Sequence, residues 1–212
     1  TGSFTIDIHK DFIIANGGRF EVYENGSANQ QTIKVADSLI VAEGATMIAT
    51  GTAANSTTNL LQIGRDLIVD GTFMAKSGNY KFNTEFVGKT DSRIRSSQDL
   101  TLNMLTCNKN SIDDKLILKT TKKINTANSN ALLDLVKGTF VVEIGDGGEV
   151  ELTANKTLTI PGEACLSIVS GKAKVATGGN ATGISLKGKI QISGGELIVG
   201  TGESASKYNS IQ

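Results

Sequence analysis

Tryptophan is absent from this sequence of 212 residues, which contains one proline, one histidine and two cysteines. Transition-metal sites are built mainly from histidine and cysteine ligands, so His9, Cys107 and Cys165 at their wide spacing predict no metal centre. No apolar run reaches the roughly 20 residues of a membrane-spanning helix. The 21 basic residues balance the 21 acidic ones, whereas nucleic-acid-binding proteins usually carry a basic excess. We therefore expect no cofactor, no nucleic-acid partner and no membrane insertion.

Glycine, by contrast, is abundant, with 24 residues. It recurs at the ends of short segments in which apolar and polar residues alternate. Alternation with a period of two indicates a strand with one buried face, and glycine supplies the φ > 0 positions that tight turns need. Residues 59–78 read NLLQIG, RDLIVDG, TFMAKSG, and residues 182–202 read TGISLKG, KIQISGG, ELIVGTG. We interpret each stretch as one turn of a coil of strands.

The repeat extends along most of the chain. The segments DFIIANGG, DSLIVAEG and RDLIVDG place Gly18, Gly44 and Gly71 at intervals of 26 and 27 residues, and a fixed period in this range is typical of repeat architectures. We predict an all-β fold: a right-handed single-stranded parallel β-helix (solenoid) of about eight rungs of roughly 26 residues, with three short strands per rung. The alternative is a set of tandem β-sandwich domains with antiparallel hairpins.

One β-helix domain over residues 1–212 accommodates the whole sequence. Glycine becomes rare between residues 81 and 130, where we expect an irregular section of the coil. Both ends read as though the repeat were interrupted, which predicts a fragment of a longer protein. Cys107 and Cys165 are expected to be small core-facing thiols, and whether they are reduced stays open.

The alternation also predicts which side chains stack inside and outside the coil. Leu39 should lie over Leu67 in the core, and Val41 over Val69. If Leu39 faces inward, its neighbour faces outward. The residues expected to form an outward apolar stripe, open to a partner, are Ile13, Ile40 and Ile68. Scattered surface aliphatic residues are the alternative interpretation.

Acidic residues recur at the start of the middle segment, at Asp11, Asp37 and Asp66. Aspartate at a corner accepts backbone N–H bonds and favours the turn, which is the interpretation that we prefer. A ladder of carboxylates for acid–base cleavage of sugars, or for binding a metal, is the alternative. The sequence contains no Walker-type phosphate loop and no G-x-S-x-G nucleophile elbow, so no catalytic residue is assigned.

The units DSLIVAEGATMIAT, RDLIVDGTFMAKSG and KIQISGGELIVGTG resemble the rungs of secreted and cell-surface β-helix repeat proteins of Bacteroidota, many of them exported by type 9 secretion. The resemblance covers most of the chain and is poorest between residues 81 and 130. It implies a secreted or cell-surface location. The group includes adhesins, stalk or surface-layer segments, and polysaccharide-degrading enzymes, and none of its functional motifs carries over residue by residue.

Stacked rungs form a stiff rod, so we expect a non-catalytic structural or adhesive segment: a stalk, an adhesin or an exported cargo. The expected partners are other segments of the same larger protein, a surface or secretion-machinery protein, and glycans. Candidates for stacking on sugars are Tyr23, Tyr80 and Tyr208.

Two other functions remain open. A carbohydrate-active enzyme of the β-helix type, a polysaccharide lyase or hydrolase, would need clustered carboxylates and basic residues. The candidates for such a cluster, all in the irregular section, are Arg93, Arg95, Asp113, Asp114 and Lys115. A segment of a phage or pilus fibre would instead form trimers along the isoleucine stripe.

Overall fold

The computed structural model describes residues 3–25, 30–53, 58–145, 147–178, 183–200 and 210–211. Within these residues the secondary structure consists of short β-strands. In chain order the strands are β1 (Thr5–Ile8), β2 (Phe12–Ile14), β3 (Arg19–Asn25), β4 (Thr32–Val35), β5 (Leu39–Val41), β6 (Thr46–Ala53), β7 (Asn59–Ile63), β8 (Leu67–Val69), β9 (Thr72–Met74), β10 (Lys76–Ser77), β11 (Tyr80–Phe86), β12 (Ser92–Ser96), β13 (Leu100–Leu102), β14 (Leu105–Asn108), β15 (Lys115–Thr120), β16 (Ile124–Thr126), β17 (Leu133–Ile144), β18 (Glu149–Glu151), β19 (Leu158–Ile160), β20 (Ala164–Ser170), β21 (Lys172–Val175), β22 (Gly183–Leu186), β23 (Lys189–Ile192), β24 (Glu196–Val199) and β25 (Ser210–Ile211).

Most strands pair in parallel with the strand three places further along the chain, as a coil with three strands per turn requires. We call the resulting stacks A (β1, β4, β7, β11, β14, β17), B (β2, β5, β8, β12, β15, β17, β20, β23) and C (β3, β6, β9, β13, β16). Stack B thus has eight strands joined by seven parallel pairings. This arrangement confirms the predicted parallel β-solenoid.

Antiparallel pairing is confined, within the described residues, to two places. The strands β10 and β11 form a hairpin, and an isolated bridge joins Ala131 to Thr153. The alternative prediction of antiparallel β-sandwich domains is therefore wrong. Sandwiches do not require the coil-length repeat that the sequence contains, whereas the solenoid does.

The core is a narrow column of stacked aliphatic and aromatic side chains. Leu39 lies opposite Leu67, and Val41 lies opposite Val69, and all four side chains are fully buried. The predicted stacking of these residues is confirmed. It arises because the period-2 alternation of each strand sends every second side chain into the same interior.

The glycine alignment inferred from the sequence is wrong by one residue. Because Arg19, Thr46 and Thr72 are in register, Gly18 occupies the position of Gly71, and Gly44 does not. Gly44 instead has the left-handed conformation, with φ of +74°, as does Gly17. The turn before β9 is two residues shorter than the turns before β3 and β6, so the glycine spacing in the sequence does not follow the strand register.

Residues 81–130 continue the coil, but the number of residues per coil changes. In stack B, 27 residues separate Leu67 from its partner Ile94, whereas 24 separate Ser92 from Leu116. The hairpin β10–β11 replaces a simple connector at the start of this section. Glycine is therefore rare in this section because the coils are shorter and one hairpin is inserted.

The coil contains a fault next to β17. Its first residues pair with β14 in stack A and its last residues pair with β15 in stack B, so one strand turns a corner at Gly138, where φ is +99°. Beyond it the N–H groups of Leu132 and Leu133 both donate to the oxygen of Leu152. Stacks A and C end here, and β18–β21–β24 and β19–β22–β25 form separate sheets. Among the described strands, only those of stack B continue without interruption.

The two cysteines are free and buried, but they occupy different environments. Cys107 belongs to the hydrophobic core, as predicted. Cys165 does not, because its neighbours Ala164 and Leu166 take the core positions of β20. The expectation of a core-facing thiol is therefore wrong for Cys165, which is buried on the outer side of stack B.

Candidate functional site

The isoleucine stripe (Ile13, Ile40, Ile68) lies in register on the outer side of stack B. Ile13 is 59% exposed, and Ile40 and Ile68 are half-buried. The structure therefore brings these three residues together on the surface, as the alternation predicts. Their contact with a partner stays a prediction.

The same column of outward positions becomes charged further along the coil. Ile68 is followed in register by Arg95, then Lys119, then Glu143. Lys119 forms an ion pair with Glu143. The outer side of stack B is thus apolar at one end and carries paired charges in its middle.

Corner aspartates bind the backbone of the next coil. The carboxylate of Asp11 accepts the N–H of Ser38 at 2.9 Å, and that of Asp66 accepts the N–H of Arg93 at 2.8 Å. Asp91 accepts the N–H of Lys115 at 3.0 Å in the same way. These bonds confirm the turn role predicted for Asp11 and Asp66.

Asp37 lies one residue out of register with Asp11 and Asp66, because Ser38 is the residue that directly precedes Leu39 in the second coil. Its backbone oxygen, rather than its carboxylate, accepts the N–H of Arg65 at 3.0 Å. The predicted carboxylate–backbone bond therefore applies to two of the three aspartates that the sequence singled out.

The five residues proposed for an enzymatic cluster do not lie in one depression. Arg95 lies 3.3 Å from Asp66 in an ion pair, in a depression that it shares with Lys119. Asp113 and Lys115 line a different depression, beside Cys165. The remaining two are Asp114, whose carboxylate accepts hydrogen bonds from the N–H and hydroxyl of Ser111 at 2.9 Å, and Arg93, whose N–H is bound by Asp66.

A buried lysine is the functional group that sequence reasoning missed. Lys109 is only 2% exposed, and its ammonium donates to the oxygen of Val87 at 2.7 Å and to the hydroxyl of Ser92 at 2.9 Å. Burial lowers the pKa of Lys109, and nearby Cys107 and acidic groups oppose that effect. The residue lies between Asn108 and Asn110 in a polar stretch, which gave no signal of burial.

Burial also alters both thiols. It raises the pKa of Cys107 to about 12, against smaller opposing effects of Lys109. It raises the pKa of Cys165 too, opposed by a hydrogen bond with Thr139. A thiol reacts as its thiolate, so both cysteines are poor nucleophiles.

A polar groove of about 570 Å³ lies between the hairpin β10–β11 and residues 127–130. We call it the amide groove because asparagine side chains dominate its lining. Its polar side chains include Lys76, Lys81, Asn79, Asn83, Asn103 and Asn128. Asn103 is 7% exposed, and its amino group donates to the side-chain oxygen of Asn83 at 2.6 Å. Sequence periodicity could not indicate this groove, because the hairpin interrupts the repeat.

The remaining polar and aromatic candidates are His9 and the three tyrosines. His9 is exposed, with its ring 3.9 Å from Asp7. Tyr23 is 50% exposed, Tyr80 packs against the core, and Tyr208 lies outside the described residues.

No protein-family model matches the chain, and no curated protein and no solved structure is significantly similar to it. Among the described residues, His, Cys, Asp and Glu form no group of three or more that could hold a metal ion. The described part of the chain also contains no helix long and apolar enough to cross a membrane.

Proposed function

We propose that this chain is a non-catalytic structural segment of a secreted or cell-surface bacterial repeat protein, in which the solenoid acts as a stiff spacer. The observation that supports the proposal is the uninterrupted series of seven parallel pairings in stack B. Each coil is held to the next by its strands and by corner carboxylates such as Asp11 and Asp66. Asp11 and Asp66 thus stabilise the stacking of successive coils.

The isoleucine stripe supports an adhesive or docking role. Three aligned isoleucines at one end of stack B offer a narrow apolar surface to another segment of the same larger protein, or to a surface or secretion-machinery protein. The triple variant Ile13→Thr, Ile40→Thr, Ile68→Thr should stay folded, because threonine is equally suited to strands. Sedimentation of the unmodified chain and of the triple variant tests the fibre alternative. If the unmodified chain forms a trimer and the triple variant does not, the result favours a fibre segment over a spacer.

A coil deletion tests the spacer role directly. Removing residues 33–60 joins Thr32 to Leu61, which occupies the register position of Ile33, so the other stacks also close over the gap. Spin labels at Asp7→Cys and Asp134→Cys lie in one outward column of stack A, five pairings apart. At about 4.8 Å per pairing, their backbones are about 24 Å apart.

The deletion should leave a folded chain whose label distance is shorter by about 5 Å. The two native cysteines are buried, so labelling is directed to the new sites. An unfolded deletion variant or an unchanged distance would contradict the spacer role. Release of new reducing ends from polysaccharides, lost on joint substitution of Arg93, Arg95 and Asp113, would instead support an enzyme.

Location has its own test. In the bacterium that makes the protein, antibodies against this chain should label intact, unpermeabilised cells or detect the protein in the medium. Labelling only after permeabilisation would contradict a secreted or cell-surface location.

A further inference from the structure

The amide groove exists because the coil is interrupted once by a hairpin. The turn of β10–β11 is made by Gly78, whose φ is +59°. This hairpin places Lys76 directly opposite Lys81 in an antiparallel pair. Like charges directly opposite each other destabilise a pair of strands, and this hairpin carries such a pair.

Neither lysine is neutralised by a carboxylate within the described residues. The ammonium of Lys76 donates to the backbone oxygen of Ala127 at 2.8 Å. The side chain of Lys81 forms neither an ion pair nor a hydrogen bond with any residue that the structure describes. No carboxylate lines the groove, whereas four other surface depressions each contain at least one. The groove is therefore a cationic site on a chain of zero net charge.

The asparagine amides of the groove add both hydrogen-bond donors and hydrogen-bond acceptors. Asn103 is almost fully buried and uses its amino group to bind Asn83, while its carbonyl oxygen accepts no hydrogen bond from the described residues. The side-chain oxygen of Asn128 accepts the N–H of Asn130 at 3.0 Å. The side-chain amino group of Asn128 can therefore donate a hydrogen bond to a ligand. Side-chain amides donate and accept at adjacent atoms, as sugar hydroxyls do.

We propose that the amide groove binds an acidic oligosaccharide, with a sugar carboxylate beside Lys81 and Lys76 and sugar hydroxyls on the asparagine amides. Apolar lining is limited to Met104 and Ala127, which offers little to the side chains of a bound peptide. The inference goes beyond the proposed spacer role and does not depend on it, since the hairpin and the loops beside it form the site.

Isothermal titration with three probes tests the proposal. The probes are β-1,4-linked triglucuronate, cellotriose, in which a hydroxymethyl group replaces each carboxylate, and triglutamate, an acidic peptide. The intact chain should bind triglucuronate in preference to the other two. Lys81→Gln should weaken that binding about tenfold, because a hydrogen bond to a charged group is lost. Lys81→Arg should restore most of it, since the charge is kept.

Lys187→Gln is the matched control, because Lys187 is exposed in a turn near the other end of the solenoid. It should bind triglucuronate as the unmodified chain does. Lys81→Gln should remain folded and unfold at the same or a slightly higher temperature, since it removes a like-charge pair. The proposal is overturned if cellotriose or triglutamate binds as tightly as triglucuronate, or if a folded Lys81→Gln variant binds it unchanged.

Discussion

The ammonium nitrogen of Lys109 lies 2.9 Å from the hydroxyl oxygen of Ser92, inside the solenoid. Ser92 belongs to the preceding coil, and its hydroxyl also lies 3.4 Å from the backbone oxygen of Gly64, one coil further back. A lysine and a serine thus connect three coils through their interior. A buried ammonium is stable only if hydrogen bonds replace the water that it loses, so this link depends on each acceptor.

Replacing Ser92 by alanine should destabilise the fold. The substitution removes one of the two acceptors of the Lys109 ammonium, and a hydrogen bond to a buried charged group contributes about 1.5–3 kcal/mol. Urea unfolding should show a loss of about that size. Ser97→Ala is the control, because Ser97 is exposed in a nearby turn. Equal midpoints for both variants would show that the buried link contributes nothing.

Stability should fall at alkaline pH because of Cys107. Burial raises its pKa from 9.0 to about 12. Between these values the unfolded chain loses the thiol proton while the folded chain keeps it, so rising pH favours unfolding. The stability linked to this thiol is fully present below pH 9.0 and is lost as the pH approaches about 12. The slope should approach about 1.4 kcal/mol per pH unit.

The comparison chain for this pH dependence is Cys107→Ala. Cys165 also has a raised pKa and is retained in both chains, so the difference between their unfolding free energies isolates Cys107. That difference should change steadily above pH 9.0. A difference that stays constant up to about pH 11 would mean that the thiol is not buried in solution as the structure has it.

The stacking of Leu39 over Leu67 could be predicted because both residues begin the same apolar triplet, LIV, in successive coils. Each strand has only two faces, and one of them must be apolar to fill the core. The outward positions of Ile13, Ile40 and Ile68 follow from the same rule. The repetition of the coil could therefore be inferred from the sequence without knowledge of any contact in the structure.

Lys109 and the amide groove could not be predicted in this way. Burial of Lys109 depends on acceptors contributed by Val87 and Ser92, which are distant in sequence and lie on different segments. Lys76 and Lys81 become neighbours only because Gly78 turns the chain back on itself. Such sites arise where the repeat is broken, so the periodic pattern contains no information about them.

Asp66 should stabilise the corner through its carboxylate. Its oxygens accept the N–H of Arg93 at 2.8 Å and lie 3.3 Å from Arg95. Asp66→Ala removes both contacts and should cost about 1–2 kcal/mol, since the side chain is partly exposed. Asp66→Asn keeps an acceptor for the N–H and should cost less. Asp70→Ala, at an exposed position of the same coil, should be neutral in thermal unfolding, and a loss equal to that of Asp66→Ala would contradict this role.

Gly71 is required by the close approach of two turns. A Cβ atom there would lie 2.4 Å from the backbone oxygens of Ala42 and Ala45, which cannot move aside as a side chain would. Gly71→Ala should therefore destabilise the fold by about 1–3 kcal/mol, as overpacking does. Gly162→Ala is the matched control, because its Cβ would meet no atom closer than 3.9 Å, and its urea midpoint should shift by about 0.5 kcal/mol or less. If both variants unfold at the same midpoint, the turns of successive coils are not packed against each other at Gly71.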